Sequence, residues 1–198
     1  MRHTYSPEYP GAAPAPPPPA PTPVPEQVSP VAARPSGGWP ARADLVTNGS
    51  FEEWDGDIPV GWHSTNAWPE EAKVHTGRYA VRLGLSSGPA STASTAPTAS
   101  LAQVARVSVG TVYQLAFSAL GTGDTPRPVE VMWLDETGQP AGETIPPILL
   151  PPVVLPQFAQ YTRIIGPAPA TARFVQLRFS KTGAGYLVID DVSLFRLY

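Results

Sequence analysis

The chain has 198 residues, a formal net charge of −3, 27 prolines and no cysteine. That length supports one ordinary domain with its own core, and the missing cysteine removes disulfides, thiolate metal sites and cysteine nucleophiles. The pI of about 5.6 and the scattered basic residues speak against a nucleic-acid binder, and no apolar run reaches the roughly 18 residues of a membrane span.

Residues 1–43 form a compositional unit of their own. The start, Met1-Arg2-His3-Thr4-Tyr5-Ser6-Pro7, has one basic residue among the first two but no apolar stretch behind it, so it does not read as a standard secretory signal. The run Ala12-Ala13-Pro14-Ala15-Pro16-Pro17-Pro18-Pro19-Ala20-Pro21 fixes φ near −65° again and again and removes backbone donors, which leaves an extended polyproline II rod. At about 3.1 Å per residue such an arm reaches on the order of 100 Å. Two readings follow: a spacer, or an arm that docks on a neighbouring subunit. Val24, Val28, Val31 and Trp39 are the expected contacts in the second, with 24–31 adding a strand to an open sheet edge.

From Asp44 onward the texture changes to short runs of β-type residues broken by Gly, Pro, Asn and Asp. Period-2 alternation predicts strands over 79–83, 112–117, 129–133, 174–179 and 186–195, with shorter ones at 45–47, 74–76, 101–107 and 160–165. No window holds a helical period for more than two turns. Many short strands with turn chemistry such as Asp135-Glu136-Thr137-Gly138 predict an all-β fold, an antiparallel jelly-roll β-sandwich over 44–198 behind the proline-rich arm. Two inserts interrupt it. Residues 86–100 are a Ser/Thr/Ala tract, read as a surface loop. Residues 145–156 are apolar but proline-broken and therefore not a central strand. The second insert either folds over an open end of the core or, through Ile148, Leu149 and Val153, forms a subunit contact.

An ordered set of short motifs now comes together. Leu45-Val46-Thr47-Asn48-Gly49-Ser50-Phe51-Glu52 opens the domain, Ile58-Pro59-Val60-Gly61-Trp62 follows, then Val74-His75-Thr76-Gly77-Arg78-Tyr79, Gln103, Gly110 and Tyr113. Ala168-Pro169 and Val188-Ile189-Asp190-Asp191-Val192 close it. Over 44–195 this order resembles the galactose-binding-like jelly rolls, in particular the carbohydrate-binding modules associated with xylanases and glucanases. The middle, from Trp133-Leu134-Asp135 to Tyr161, is similar to domains at the N-termini of spore-surface proteins of Gram-positive bacteria.

The resemblance implies a structural calcium ion that ties the opening segment to the closing aspartate. Glu52 and Asp190 then supply carboxylates and the backbone near Lys73 and Gly77 supplies carbonyls. Hard cations take such all-oxygen sets. The plain alternative is that the two acids cap turns and pair with Arg78 or Arg82. Among the aromatics, Trp62, Trp133 and Tyr79 read as core, while Trp54 and Trp68 sit in polar loops and are the candidates for stacking on a sugar or, equally, for a rim or subunit contact.

No catalytic set emerges. Gly84-Leu85-Ser86-Ser87-Gly88 matches a nucleophile elbow by letter, but Pro89 and a Ser/Thr tract follow where the elbow needs a helix. The three histidines have no metal spacing. The expected role is therefore non-catalytic: a structural subunit of an extracellular or surface assembly such as a filament, spore layer or virion, self-associating through the arm. The alternative is a carbohydrate-binding or adhesive module for a surface polysaccharide, with the arm as its tether.

Overall fold

The computed structural model describes residues 43–84, 98–123, 127–150 and 155–197. They belong to a compact unit spanning Trp39–Tyr198, and a separate unit, Met1–Gly38, lies outside the described residues. Val24, Val28, Val31, Trp39 and Val153, and the insert at 85–97, are likewise outside them.

Every regular element described is a strand. In chain order these are β1 (Trp54–Asp55), β2 (Ile58–Pro59), β3 (His63–Thr65), β4 (Ala67–Glu70), β5 (Ala80–Gly84) and β6 (Ala99–Arg106). Then come β7 (Tyr113–Gly123), β8 (Arg127–Leu134), β9 (Ile148–Leu150), β10 (Leu155–Ile165), β11 (Phe174–Lys181) and β12 (Gly185–Arg196). Two five-stranded sheets, ordered β10-β7-β12-β5-β4 and β3-β6-β11-β8-β9, form a sandwich, and β1-β2 is a small hairpin. The described ladders are all antiparallel.

The alternation in sequence becomes burial on one face. Along β6, buried Leu101, Gln103 and Ala105 alternate with the less buried Ala102, Val104 and Arg106, as the two-residue side-chain period of a strand requires. One sheet contributes Leu83, Leu115, Leu187 and Ile189 to the core, the other Leu101, Val129, Leu177 and Phe179, all fully buried. Aromatic rings join them, with Phe117 edge-on to Phe179 at 5.2 Å between centroids. Burial of this kind stabilises by roughly 25 cal/mol per Å² of apolar surface.

Two expected strands are absent. Residues 45–47 are bent, because the Val46 amide bonds the Asp44 carboxylate and the Thr47 amide bonds the Gln103 side chain. Residues 74–76 are bent for the same reason: the His75 and Thr76 amides both point at the Asp190 carboxylate. Side chains have taken the donors a ladder would have used. In the other direction, β3 and β4 were not expected, since three polar residues and a strand containing Pro69 give no alternation signal. The strand at 160–165 begins five residues earlier, at Leu155. The tract expected as a loop through residue 100 already pairs at Ala99 and Ser100.

The proline-broken insert behaves as its composition requires. Ile148–Leu150 adds as a three-residue edge strand beside β8, where a proline-rich neighbourhood is tolerated. Leu150 is buried, Ile148 packs against the core and Leu149 stands 61% exposed.

Candidate functional site

The opening motif is a clasp in which nearly every residue has a distinct task. Asn48 takes a left-handed conformation (φ 48°), and its side chain bonds the Glu53 amide, the Glu53 carbonyl and the Val60 carbonyl. Gly49 lies against the backbone of Val192, which donates its amide to the Gly49 carbonyl at 2.8 Å. Phe51 is fully buried with its ring 5.2 Å from that of Trp62, and Trp62 donates its indole N–H to the carbonyls of Thr47 and Asn48.

That arrangement turns Glu52 outward. Its Oε1 accepts the amides of Arg78 at 2.9 Å and Tyr79 at 3.1 Å. From the other end of the chain, Asp190 Oδ2 accepts the amides of His75 at 2.8 Å and Thr76 at 3.1 Å. The two carboxylates thus grip successive parts of one loop, 73–79, and Gly77 sits where a Cβ would strike the Glu52 carboxylate. Asp190 is fully buried. Burial pushes its carboxyl above the usual range, the nearby Asp191 charge adds to this, and the amide bonds from Thr76, His75 and Asp191 act against it. Asp191, in a left-handed conformation (φ 50°), holds the His75 ring at 2.5 Å and the Thr76 hydroxyl at 2.6 Å.

The structure therefore brings Glu52, Asp190, Lys73 and Gly77 to the same loop. Among the described residues no three His, Cys, Asp or Glu side chains converge, so a cation shell here must draw on backbone carbonyls as well. What the structure shows at each carboxylate is a pair of loop amides, His75 and Thr76 on Asp190 and Arg78 and Tyr79 on Glu52, and the carboxylate oxygens themselves are of the kind a hard divalent ion takes. Both acids cap loop amides, as the plain alternative had it, but neither pairs with the Arg78 or Arg82 guanidinium. Glu52 bonds the Arg78 amide rather than its guanidinium, and Arg82 pairs with Glu70 at 2.9 Å.

Trp54 and Trp68 have different settings. Trp54 packs against the core cluster and ties its N–H to the Phe51 carbonyl at 2.6 Å. Trp68 lies on the edge strand β4, half-buried, with its N–H on the Gly84 carbonyl at 3.2 Å. Its direct cross-strand neighbour is Arg82, and the next strand places Val188 opposite Arg82, with Tyr186 diagonally adjacent. The Arg82 guanidinium stacks 4.0 Å over the Tyr186 ring. Lys73 Nζ reaches the Tyr186 hydroxyl from the loop side. On the outer face of this sheet Trp68, Arg82 and Tyr186 lie side by side, with the Arg82 side chain only 14% exposed between the Tyr186 ring and Glu70, and Glu70 itself buried with Oε1 on the Ala72 and Lys73 amides.

Sequence reasoning singled out Trp68 but not Arg82, Tyr186 or the Lys73 side chain. The signal was present: Arg82 stands between the core residues Val81 and Leu83, and Tyr186 beside the core residue Leu187, so both point outward. What joins them is the pairing of β5 with β12 across about a hundred residues of sequence, which local pattern does not reveal.

No protein-family model and no curated protein matches the sequence. Solved structures do match. The enzymatically active domain of bacteriophage CBA120 tailspike protein 4 superposes with a TM-score of 0.61 at 17% identity, over 78% of this chain and 21% of that one. This chain thus spans about a fifth of the tailspike chain's length. The module TmCBM61, solved in complex with β-1,4-galactotriose, gives 0.53 at 18% identity, covering 78% and 99%. The CBM22-1 xylan-binding domain of Xyn10C from Paenibacillus barcinonensis gives 0.50 at 14% identity, covering 79% and 96%. The chain has the jelly-roll fold of the carbohydrate-binding modules.

Proposed function

We propose that the domain is a non-catalytic carbohydrate-binding module for a surface or extracellular polysaccharide. The observation that carries this is the Trp68–Arg82–Tyr186 row on the outer face of β4-β5-β12. Sugar rings present flat C–H faces that stack on aromatic planes, and their hydroxyls need donors and acceptors at the rim. Exposed Lys73 is such a rim group, while buried Glu70 holds Arg82 in place beneath it. The fold, shared with modules solved with a galactotriose or named for xylan, supports the same reading.

A calcium ion belongs to this proposal as a structural part. Glu52, Asp190 and carbonyls of the 73–77 segment would hold it, and its charge would offset that of the buried Asp190. Lys73, whose ammonium group touches Tyr186, sits on this loop, so the clasp also sets one wall of the sugar face.

Affinity electrophoresis through gels containing xylan or β-1,4-galactan tests the reading. Retardation of the full chain, weakened at least tenfold by Trp68→Ala, is the expected result. Equal retardation of the variant removes Trp68 from the site.

A subunit of a surface assembly is the second reading, and Leu149 is the observation that favours it. This residue is 61% exposed on the edge strand β9. Light scattering of the full chain against Leu149→Lys decides: a smaller mass for the variant supports the contact, and a monomer in both cases at every concentration ends it.

A further inference from the structure

We propose that a slot at the edge of β8, around the backbone of Val131, binds the acetamido group of an N-acetylated sugar. The class of ligand rests on the carbohydrate-binding reading above, but the slot belongs to the other sheet from the one that carries Trp68.

The slot follows from a mismatch in register. After β8 the chain turns back along its edge, with Pro140 opposite Leu134 and Ile148 opposite Val129. Between those two points it has seven residues, 141–147, against four on β8, 130–133, so three are in excess. They bow away from β8 as a strap. Trp133 gives its carbonyl to the Ala141 amide on the strap side, and Leu134 gives its own to the Arg173 amide on the β11 side, both at 2.8 Å. The backbone groups of a strand switch sides from one residue to the next, so Val131, two residues from Trp133, also turns its N–H and C=O toward the strap. The strap residues just before Ile148 are Pro146 and Pro147, which have no N–H to give. Among the described residues no hydrogen bond reaches the N–H or C=O of Val131 or the N–H of Trp133.

Between strap and strand lies a cleft of about 210 Å³, with Met132, Ile145 and Pro147 among its apolar walls. Backbone groups set beside apolar walls without a protein partner are met by water or by a ligand. A secondary amide meets them in one piece: its N–H donates to the Val131 carbonyl, its C=O accepts a strand N–H, and its methyl lies on the walls. The cleft is smaller than the roughly 300–1,000 Å³ of a whole small-molecule pocket, so it suits a substituent. An added peptide strand does not fit. The strap is fastened to β8 at Trp133 and again at Val129, four residues or about 13 Å apart. Glu143 and Glu130, the latter with Arg178 at 3.9 Å, complete the rim. Carboxylates accept from sugar hydroxyls and repel anions, which selects a neutral N-acetylhexosamine over an acidic sugar.

Backbone amide resonances of the isotope-labelled full chain test this, because they report on Val131 and Trp133 themselves. The probes are N,N′-diacetylchitobiose, cellobiose, xylan and β-1,4-galactan oligosaccharides, and a peptide carrying Nε-acetyl-lysine. Diacetylchitobiose should shift both amides saturably, with an affinity at least about tenfold above that of cellobiose, which has hydroxyls in place of the acetamido groups. Met132→Asp puts a charge on the apolar wall at an exposed position. It should weaken the acetylated ligand by a similar factor, and an unaltered affinity there would overturn the slot. If the two amides stay still while the Trp68 indole answers a sugar, or if they answer cellobiose as strongly, the acetamido inference falls and the Trp68 platform stands. A slot saturated by the peptide and not by diacetylchitobiose takes its amide from a protein, which overturns the sugar assignment. Silence of the slot and of the Trp68 indole toward every sugar removes the carbohydrate reading as well.

Discussion

At Gly49 the constraint is another backbone. A Cβ built there lands on the Val192 carbonyl oxygen, and that oxygen belongs to the backbone of β12, at the bulge between Asp190 and Ser193 where the Val192 amide bonds the Gly49 carbonyl, so it cannot swing away as a side-chain tip would. Gly49→Ala should therefore cost about 3 kcal/mol through overpacking, seen as a lower denaturant midpoint at unchanged slope; a loss under about 0.5 kcal/mol would show that the segment can shift. Asp135 offers a test by pH. Its Oδ1 accepts the Thr137 hydroxyl and the amides of Thr137 and Gln139, and the hydroxyl bond first, then the Gln139 amide, holds its carboxyl below the usual value. A lowered folded pKa means stability present above the unfolded pKa and lost as pH falls through the folded one. Asp135→Asn keeps the acceptor and removes the charge. Its melting temperature should fall short of the parent's at about pH 7, and the gap should close on titration below about pH 4. A gap independent of pH would assign the loss to turn geometry instead.

Among the elements, Gln103 shows how an irregular segment is fastened to a regular one. Fully inside the sandwich on β6, it accepts the Thr47 amide at 2.8 Å and donates to the carbonyls of Thr47 and Gly61, both at 2.9 Å. Replacing it by Leu keeps the volume and strips the Thr47 amide and the Gly61 carbonyl of their partner, while the Thr47 carbonyl keeps the Trp62 indole, so Gln103→Leu should lose roughly 1–3 kcal/mol. Thermal unfolding measures this; an unchanged midpoint would mean water replaces the amide. The same residue explains what the sequence could and could not disclose. Strong alternators such as 174–179 and 186–195 were legible because their period is local. Residues 45–47 and 74–76 have strand-like composition, yet their donors go to Gln103 and Asp190, partners 56 and 114–115 positions away. Pro69 concealed β4, and with it the edge that carries Trp68. The acids of the clasp were readable from the motif order. The face proposed to take sugar was readable only in part, because Arg82 and Tyr186 meet through sheet pairing that no window of sequence contains.

For the molecule as a whole, the clasp matters because it joins the two ends of the folded domain. Glu52 lies near its start and Asp190 near its end, and both hold the 73–79 loop. A ligand bound there only in the folded state stabilises the entire cooperative unit by RT ln(1 + [L]/Kd), about 2.7 kcal/mol at a hundredfold excess over Kd. For a domain of roughly 150–250 residues each kcal/mol moves the melting temperature by about 2–4 °C. Chelation with EGTA should thus lower the melting temperature by about 5–11 °C, and added calcium should restore it while magnesium, which resists dehydration by such a set, should not. Asp190→Asn should melt at one temperature with or without calcium. The comparison also separates the ion from the hydrogen bonds, since the amide oxygen of the substituted side chain could still accept the His75 and Thr76 amides. A parent protein whose melting temperature ignores both EGTA and calcium would leave those amide bonds as the whole of the clasp.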